Sequence, residues 1–554
     1  MLSFFSFVGM KTILNSKYLL PLFLILLTVV NIIQGYSTEL LADEAYYWTY
    51  SNFLDWGYFD HPPMVAVWIS ISKLLFSDGE ISVRFLSAIT LSVTYYIIWQ
   101  LIEHKQKEKF TWLFILLISS TALFTVYGFI TVPDTPLLFF FALFLLGYKK
   151  YISKQSPLSY IILSIAMAGM LYSKYQGVLI ILFVLLSNLK VLKDGKIWLT
   201  ALATVLLFTP HIYWQFINDF ASFKYHLFER SSKSYRLDFT TNHFLNLIAI
   251  IGFTFPVVYM AFFKRLHVKN AFEKALRYIV IGFAVFFFIS SFKNHVQAQW
   301  VLPISISLII ITFHFLIEHQ NYLKLFKILA FISIGILIIL RIIIANDGIL
   351  PKQFEMHGNK KWVANLDTEI GNRTPLFLNS YQNTSTYWFY SGKRPHQYNS
   401  WDSRKNQYDL YNFNQNYSLN NVVEIGIRKN QNPTDSVIKR NNGKLYFKNI
   451  IGPFLKNTQN KFSITSSSLK ENHKNFIPVS YDHSNIQLKM FSLFIVLRDH
   501  REVRIYEAQL DNDKIHVHIP KFDQDFQPKT LQIIGKLGNE TKPIRLSDIE
   551  KIKQ

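Results

Sequence analysis

The chain has 554 residues, 50% hydrophobic and 16% aromatic, with 50 Phe and 30 Tyr, which excludes an ordinary soluble globular protein. Its formal charge of +21 is spread over both halves without a basic stripe or a recognition module, which excludes a nucleic-acid binder and leaves membrane lipids, above all anionic lipid or lipid phosphate, as the natural partner. The absence of cysteine excludes disulfides and thiolate chemistry.

Apolar runs of about 20 residues, the length that spans a bilayer, recur up to Ala345 and stop beyond Asn346. Eleven candidate spans fall near residues 18–36, 82–102, 110–128, 133–149, 158–173, 176–192, 197–216, 246–263, 278–292, 300–317 and 326–345. The first lacks a small-residue cleavage site and reads as an uncleaved span. Pro62–Phe76 is too short to cross alone and reads as an interfacial or re-entrant helix. With the N-terminus inside, the inner loops hold 18 Lys and Arg and the outer ones 6, which directs residues 37–72 and the chain beyond 345 outward. The expected fold is an α-helical polytopic membrane domain, residues 1–345, followed by an extracytoplasmic α+β domain, residues 346–554. In the latter, Thr374–Leu378, Val422–Ile427, Phe491–Leu497 and Lys514–Ile519 read as strands.

Five carboxylates stand between Glu39 and Asp60, and no Lys or Arg occurs from Ser37 to Ser72. Carboxylates gathered at the mouth of a membrane segment are costly to desolvate, which points to a site. Asp43 and Glu44, followed at once by Tyr46, Tyr47 and Trp48, have two readings. They serve as acid/base groups for a hydroxyl attacking a sugar carbon, or they start a helix beside an interfacial aromatic belt. Asp60-His61-Pro62-Pro63 sets a carboxylate and an imidazole before a rigid turn: ligands for a metal and a phosphate on one reading, a helix cap and a surface histidine on the other. Asp134 sits in a short outward turn fixed by Pro133 and Pro136, as a functional carboxylate or as a helix cap. His226, Arg230 and Lys293 lie on outward loops, where cations hold a phosphate together, Arg in bidentate fashion, or snorkel singly at the interface.

Taken in order, Asp43-Glu-Ala-Tyr-Tyr-Trp48, Phe59-Asp-His-Pro-Pro63, Pro133-Asp134, Ser173-Lys-Tyr-Gln-Gly177 and Lys293 with Gln299-Trp-Val-Leu-Pro303 resemble bacterial GT-C glycosyltransferases. More narrowly, they are similar to the protein O-mannosyltransferase-like group that includes the lipid A aminoarabinose transferases. The resemblance covers residues 15–345 and, more weakly, Tyr381–Tyr390. It implies a GT-C fold, and transfer of a sugar with inversion from a polyprenyl-phosphate donor to a lipid, glycan or protein acceptor outside the bacterial inner membrane. By position it implies that Asp43, with Glu44 beside it, is the catalytic acid/base and Asp134 the second acidic residue. Asp60 and His226 become ligands of a divalent ion such as Zn, Mn or Mg; His61, Arg230 and Lys293 become partners of the donor phosphate. His61 stands where the aminoarabinose branch has Lys, and an imidazole is only partly charged at neutral pH. The competing reading is a transporter of lipid-linked sugars, which would carry its ionisable groups near the bilayer midplane, whereas here the carboxylates gather at the outward ends.

Overall fold

The computed structural model describes residues 16–77, 79–229, 235–265, 268, 270–351, 354–411, 418–419, 422–426, 437–440, 443–450, 454–455, 463–464, 473–480, 491–499, 502–511, 514–519, 526–537, 543–547 and 549–552. The chain divides into two compact units, Met1–Gly358 and Asn359–Gln554.

The first unit is helical. Helix α1 (Ser16–Ser37) leads through the short α2 (Ala42–Ser51) and α3 (Met64–Leu75) to α4 (Glu80–Leu101), which packs against α1. The 12-residue α3 buries Val65, Trp68 and Ile69 and leaves Leu74 and Leu75 exposed, the one-sided burial expected of a helix too short to cross a bilayer. Helices α5 (Asp134–Ser153) and α6 (Pro157–Ser173) form a closely packed pair joined by residues 154–156. Ser156 caps α6 by accepting the Ser159 N–H, and Pro157 takes the first helical position, where its missing N–H is not needed. Next come α7 (Gly177–Ser187) and α8 (Gly195–Ile217).

Helix occupies all eleven expected positions. Six helices are long and apolar enough to cross a membrane among the described residues: Tyr18–Ser37, Glu80–Leu101, Asp134–Ser153, Gly195–Ile217, Leu237–Lys264 and Gln320–Ala345. The other runs fall short for visible reasons. The run 110–128 breaks at Thr121 into Thr111–Ser120 and Ala122–Val126. Ala271–Ser290 carries Glu273, Lys274 and Arg277. Pro303 separates Ala298–Val301 from Ile304–Glu318. From Ile304 to Ile317 every residue of that last helix is buried, so it lies inside the bundle and its length answers to neighbouring helices rather than to lipid. The first unit is that of a multi-pass membrane protein.

Among the described residues the second unit combines helices with three sheets. Thr374–Leu378 pairs in parallel with His396–Tyr398 and with Val422–Gly426, and Gly443–Ile450 joins the far side antiparallel. A larger, antiparallel sheet is centred on Phe491–Arg498, flanked by Val503–Asp511 and Thr530–Leu537. In its strand Lys514–Ile519 the buried residues Ile515, Val517 and Ile519 alternate with more exposed ones, the period of two that marks a sheet with one covered face. The four strands read from the sequence are all present, within a residue at their ends. Tyr381–Ser391, the weaker segment of the resemblance, is a helix capped by Ser380 and closed by Gly392 at φ 68°, a left-handed position that glycine adopts without strain.

Candidate active site

Asp43 and Glu44 share the first turn of α2, where a carboxylate is favoured by the helix dipole, yet their surroundings differ. Glu44 is fully buried and its two oxygens accept four hydrogen bonds. Arg84 Nε gives one at 2.8 Å and Arg84 Nη2 one at 2.5 Å, while the N–H groups of Leu41 and Thr131 give the others at 3.0 and 2.9 Å. Arg84, 1% exposed on α4, spends its remaining donors on the carbonyls of Gly35, Thr38 and Glu39 and on the Thr38 hydroxyl. This ion pair ties the end of α1, the start of α2, the body of α4 and the turn before α5 into one joint. With four hydrogen bonds on its two oxygens, the Glu44 carboxylate is held fast within this joint. Asp43 is half-buried beside it, and the preceding N–H, of Ala42, is bonded by Glu355 Oε1 at 2.9 Å.

Asp134 opens α5 but does not cap it. Its carboxylate takes both bonds of Lys174 Nζ, at 2.7 and 2.9 Å, in a pair where both residues are buried. Lys174 belongs to the Ser173–Gly177 segment, and its role is invisible in sequence because 40 residues separate the partners. Since Thr131 is bonded to Glu44 through its N–H and to Ser87 through its hydroxyl at 2.6 Å, the Pro133-Asp134 turn is fixed relative to α2.

Asp60 is buried, with its Oδ2 accepting from Tyr46 at 2.8 Å and Tyr50 at 3.4 Å. Tyr50 in turn stacks on Tyr58 at 4.1 Å and 9°. His226, on a π-helical turn (Tyr225–Glu229), places its Nε2 2.7 Å from the Asp60 carbonyl oxygen, a bond in which the imidazole donates. Its ring lies 6.2 Å from that of His61, which also meets Tyr47 at 5.6 Å. Asp60, His61 and His226 are thus brought together, but with the Asp60 carboxylate turned to tyrosines and His226 Nε2 turned to a carbonyl. Among the described residues no three His, Asp or Glu side chains converge as a bound ion requires. Arg230 lies outside the described residues. Lys293 is exposed on the turn after Ala271–Ser290, its N–H bonded to the Ser290 carbonyl.

Residues 55–58 meet the end of α8. Trp214 Nε1 donates to Asp55 Oδ2 at 2.7 Å, and His211 Nδ1 lies 2.7 Å from the Trp56 carbonyl. Gln215 donates to the Ser222 hydroxyl, which donates to the Tyr58 carbonyl, each at 2.8 Å. Gly57 fits because it has no side chain: a Cβ there would stand 2.4 Å from the Trp214 ring. Burial raises the Tyr58 hydroxyl pKa well above the ordinary tyrosine value, so Tyr58 stays a neutral donor, bonding the carbonyls of Tyr50 and Phe53.

A family model described as dolichyl-phosphate-mannose-protein mannosyltransferase matches residues 60–214, a span that begins at Asp60, ends at Trp214 and includes Asp134 and Lys174. The fold is that of GT-C-type glycosyltransferases. The chain is similar to crystal structures of ArnT from Cupriavidus metallidurans, in the apo state at 13% identity and bound to undecaprenyl phosphate at 12%. In both cases the TM-score is 0.55, over 78% of this chain and 99% of the other. No curated protein sequence matches the chain.

Proposed function

We propose that the chain is an integral membrane glycosyltransferase that moves a sugar from a polyprenyl-phosphate donor to a hydroxyl acceptor on the outer side of the bacterial inner membrane, with inversion. The family match and the likeness to a structure that carries undecaprenyl phosphate support the donor class. The excess of basic residues in the inner loops supports the outward placement of α2 and of Asn359–Gln554.

The observation that carries the reading is the division of labour in the first turn of α2. Glu44 is consumed by Arg84, while its half-buried neighbour Asp43 is anchored on a helix that this same ion pair holds still. In the proposed step the acceptor oxygen attacks the anomeric carbon as Asp43 takes its proton. The bond from that carbon to the phosphate oxygen breaks, and the polyprenyl phosphate departs as an anion. His61 and Lys293 are the described residues assigned to that phosphate, and the Asp134–Lys174 pair braces the facing turn.

Asp43→Asn keeps the shape and removes the base. Purified in liposomes with a polyprenyl-phosphate sugar, this variant is expected to melt like the parent and to transfer about 10²–10⁴ times more slowly. Transfer at the parent rate would overturn the assignment.

A further inference from the structure

A cavity of about 230 Å³ lies among α5, α6, α7, α8 and the turn joining α7 to α8. Phe144, Leu163 and Val184 in its wall are buried, whereas Leu192 and Trp198 are exposed, so it opens at the 189–198 turn. The wall offers water nothing. The Tyr148 hydroxyl already accepts from Asn188, the Thr200 hydroxyl donates to the Lys196 carbonyl, and no polar side-chain atom of the lining is buried without a partner. Water needs two to four polar partners to stay in such a space, and apolar cavities of about 150 Å³ bind small hydrocarbons instead.

The mouth has the opposite character. Lys190 and Lys193 sit on the turn itself and Lys196 in the first turn of α8, with Lys150 and Lys154 at the end of α5. All five are exposed, and none is ion-paired among the described residues. Asp194, the carboxylate on that turn, is engaged in capping α8 through the Lys196 N–H and in accepting from the Tyr160 hydroxyl.

We propose that the cavity receives an acyl chain of an anionic phospholipid whose headgroup phosphate is held by Lys190, Lys193 and Lys196. A hydrocarbon chamber with a cationic rim matches an amphiphile with an apolar tail and an anionic head. This lipid is distinct from the donor: the site lies at the end of the helices opposite Asp134, which opens the same α5 whose last turn carries Lys150.

The test is native mass spectrometry of the full chain released from nanodiscs of phosphatidylcholine and phosphatidylglycerol. One phosphatidylglycerol is expected to be retained in preference to phosphatidylcholine. Neutralising two lysines, Lys193→Gln with Lys196→Gln, should cut that preference roughly tenfold or more, from a contribution of about 1 kcal/mol per basic residue near a membrane surface. Leu163→Trp, which fills the chamber, should abolish retention. Equal retention of the two lipids by the parent overturns the proposal, as does an unchanged preference in the lysine variant or retention by the filled one. Should Leu163→Trp fail to fold, the lysine variant alone decides.

Discussion

The two halves of the segment between α1 and α3 are held in opposite ways. Residues 39–51 are locked by charge: one buried guanidinium and one buried carboxylate join α1, α2, α4 and the turn before α5. Residues 55–61 are held by tyrosine, histidine, tryptophan and glutamine bonds and by the close approach of Gly57 to Trp214. A buried ion pair has a steep cost of rearrangement, because moving either partner strands the other. Separate hydrogen bonds exchange singly, at about 1 kcal/mol each and somewhat more where the acceptor is a carboxylate. The first half is built to stay fixed, which suits a catalytic base. The second half is held by several separate hydrogen bonds rather than by one ion pair.

The strongest way to break this contrast is Arg84→Ala, which leaves Glu44 buried without its counter-ion and should cost about 3–5 kcal/mol, read as a large fall in melting temperature in detergent. Combining Arg84→Met with Glu44→Leu should restore much of that stability, since an apolar replacement of similar volume strands no charge. A single variant that melts with the parent would remove the distinction. Gly57→Ala probes the other half. Its Cβ meets a buried, hydrogen-bonded Trp214 ring, so about 1–3 kcal/mol of overpacking is expected, together with a larger change in KM for donor than in melting temperature. Trp214→Phe should have the smallest effect. It removes one bond to an exposed carboxylate while keeping most of the ring, a loss of about 0.5–1.5 kcal/mol, checked by the same melts. A loss as large as that of Arg84→Ala would show that the second half is as rigidly set as the first.

Local pattern carried most of the architecture. Alternation located four strands of the second unit, and apolar runs located the long helices of the first. It failed where one residue interrupts a run that hydropathy alone reads as continuous, at Thr121 and Pro303. In the candidate site, the carboxylates at Asp43 and Asp134 and the grouping of Asp60, His61 and His226 were legible because each stands out from its neighbours. Their partners were not. Glu44 and Arg84 are 40 residues apart, as are Asp134 and Lys174, and Trp214 lies 159 residues from Asp55. One signal was available for Arg84: a single arginine inside a predicted span is too costly to leave without a counter-charge, and the stretch Glu39–Asp60 carries five carboxylates and no Lys or Arg.

The same ion pair bears on how the protein enters the membrane. Glu44 and Arg84 both belong to the stretch from α1 to α4, which leaves the ribosome before α5, and α1 and α4 pack on each other. Arg84 can be neutralised as that first hairpin closes, with its remaining donors satisfied by carbonyls from Gly35 to Glu39. The bond from Thr131 to Glu44 must wait for later synthesis. The partners of the arginine between Gly35 and Glu44 therefore need no residue of α5, and the packed pair of α1 and α4 offers later helices a surface to assemble on.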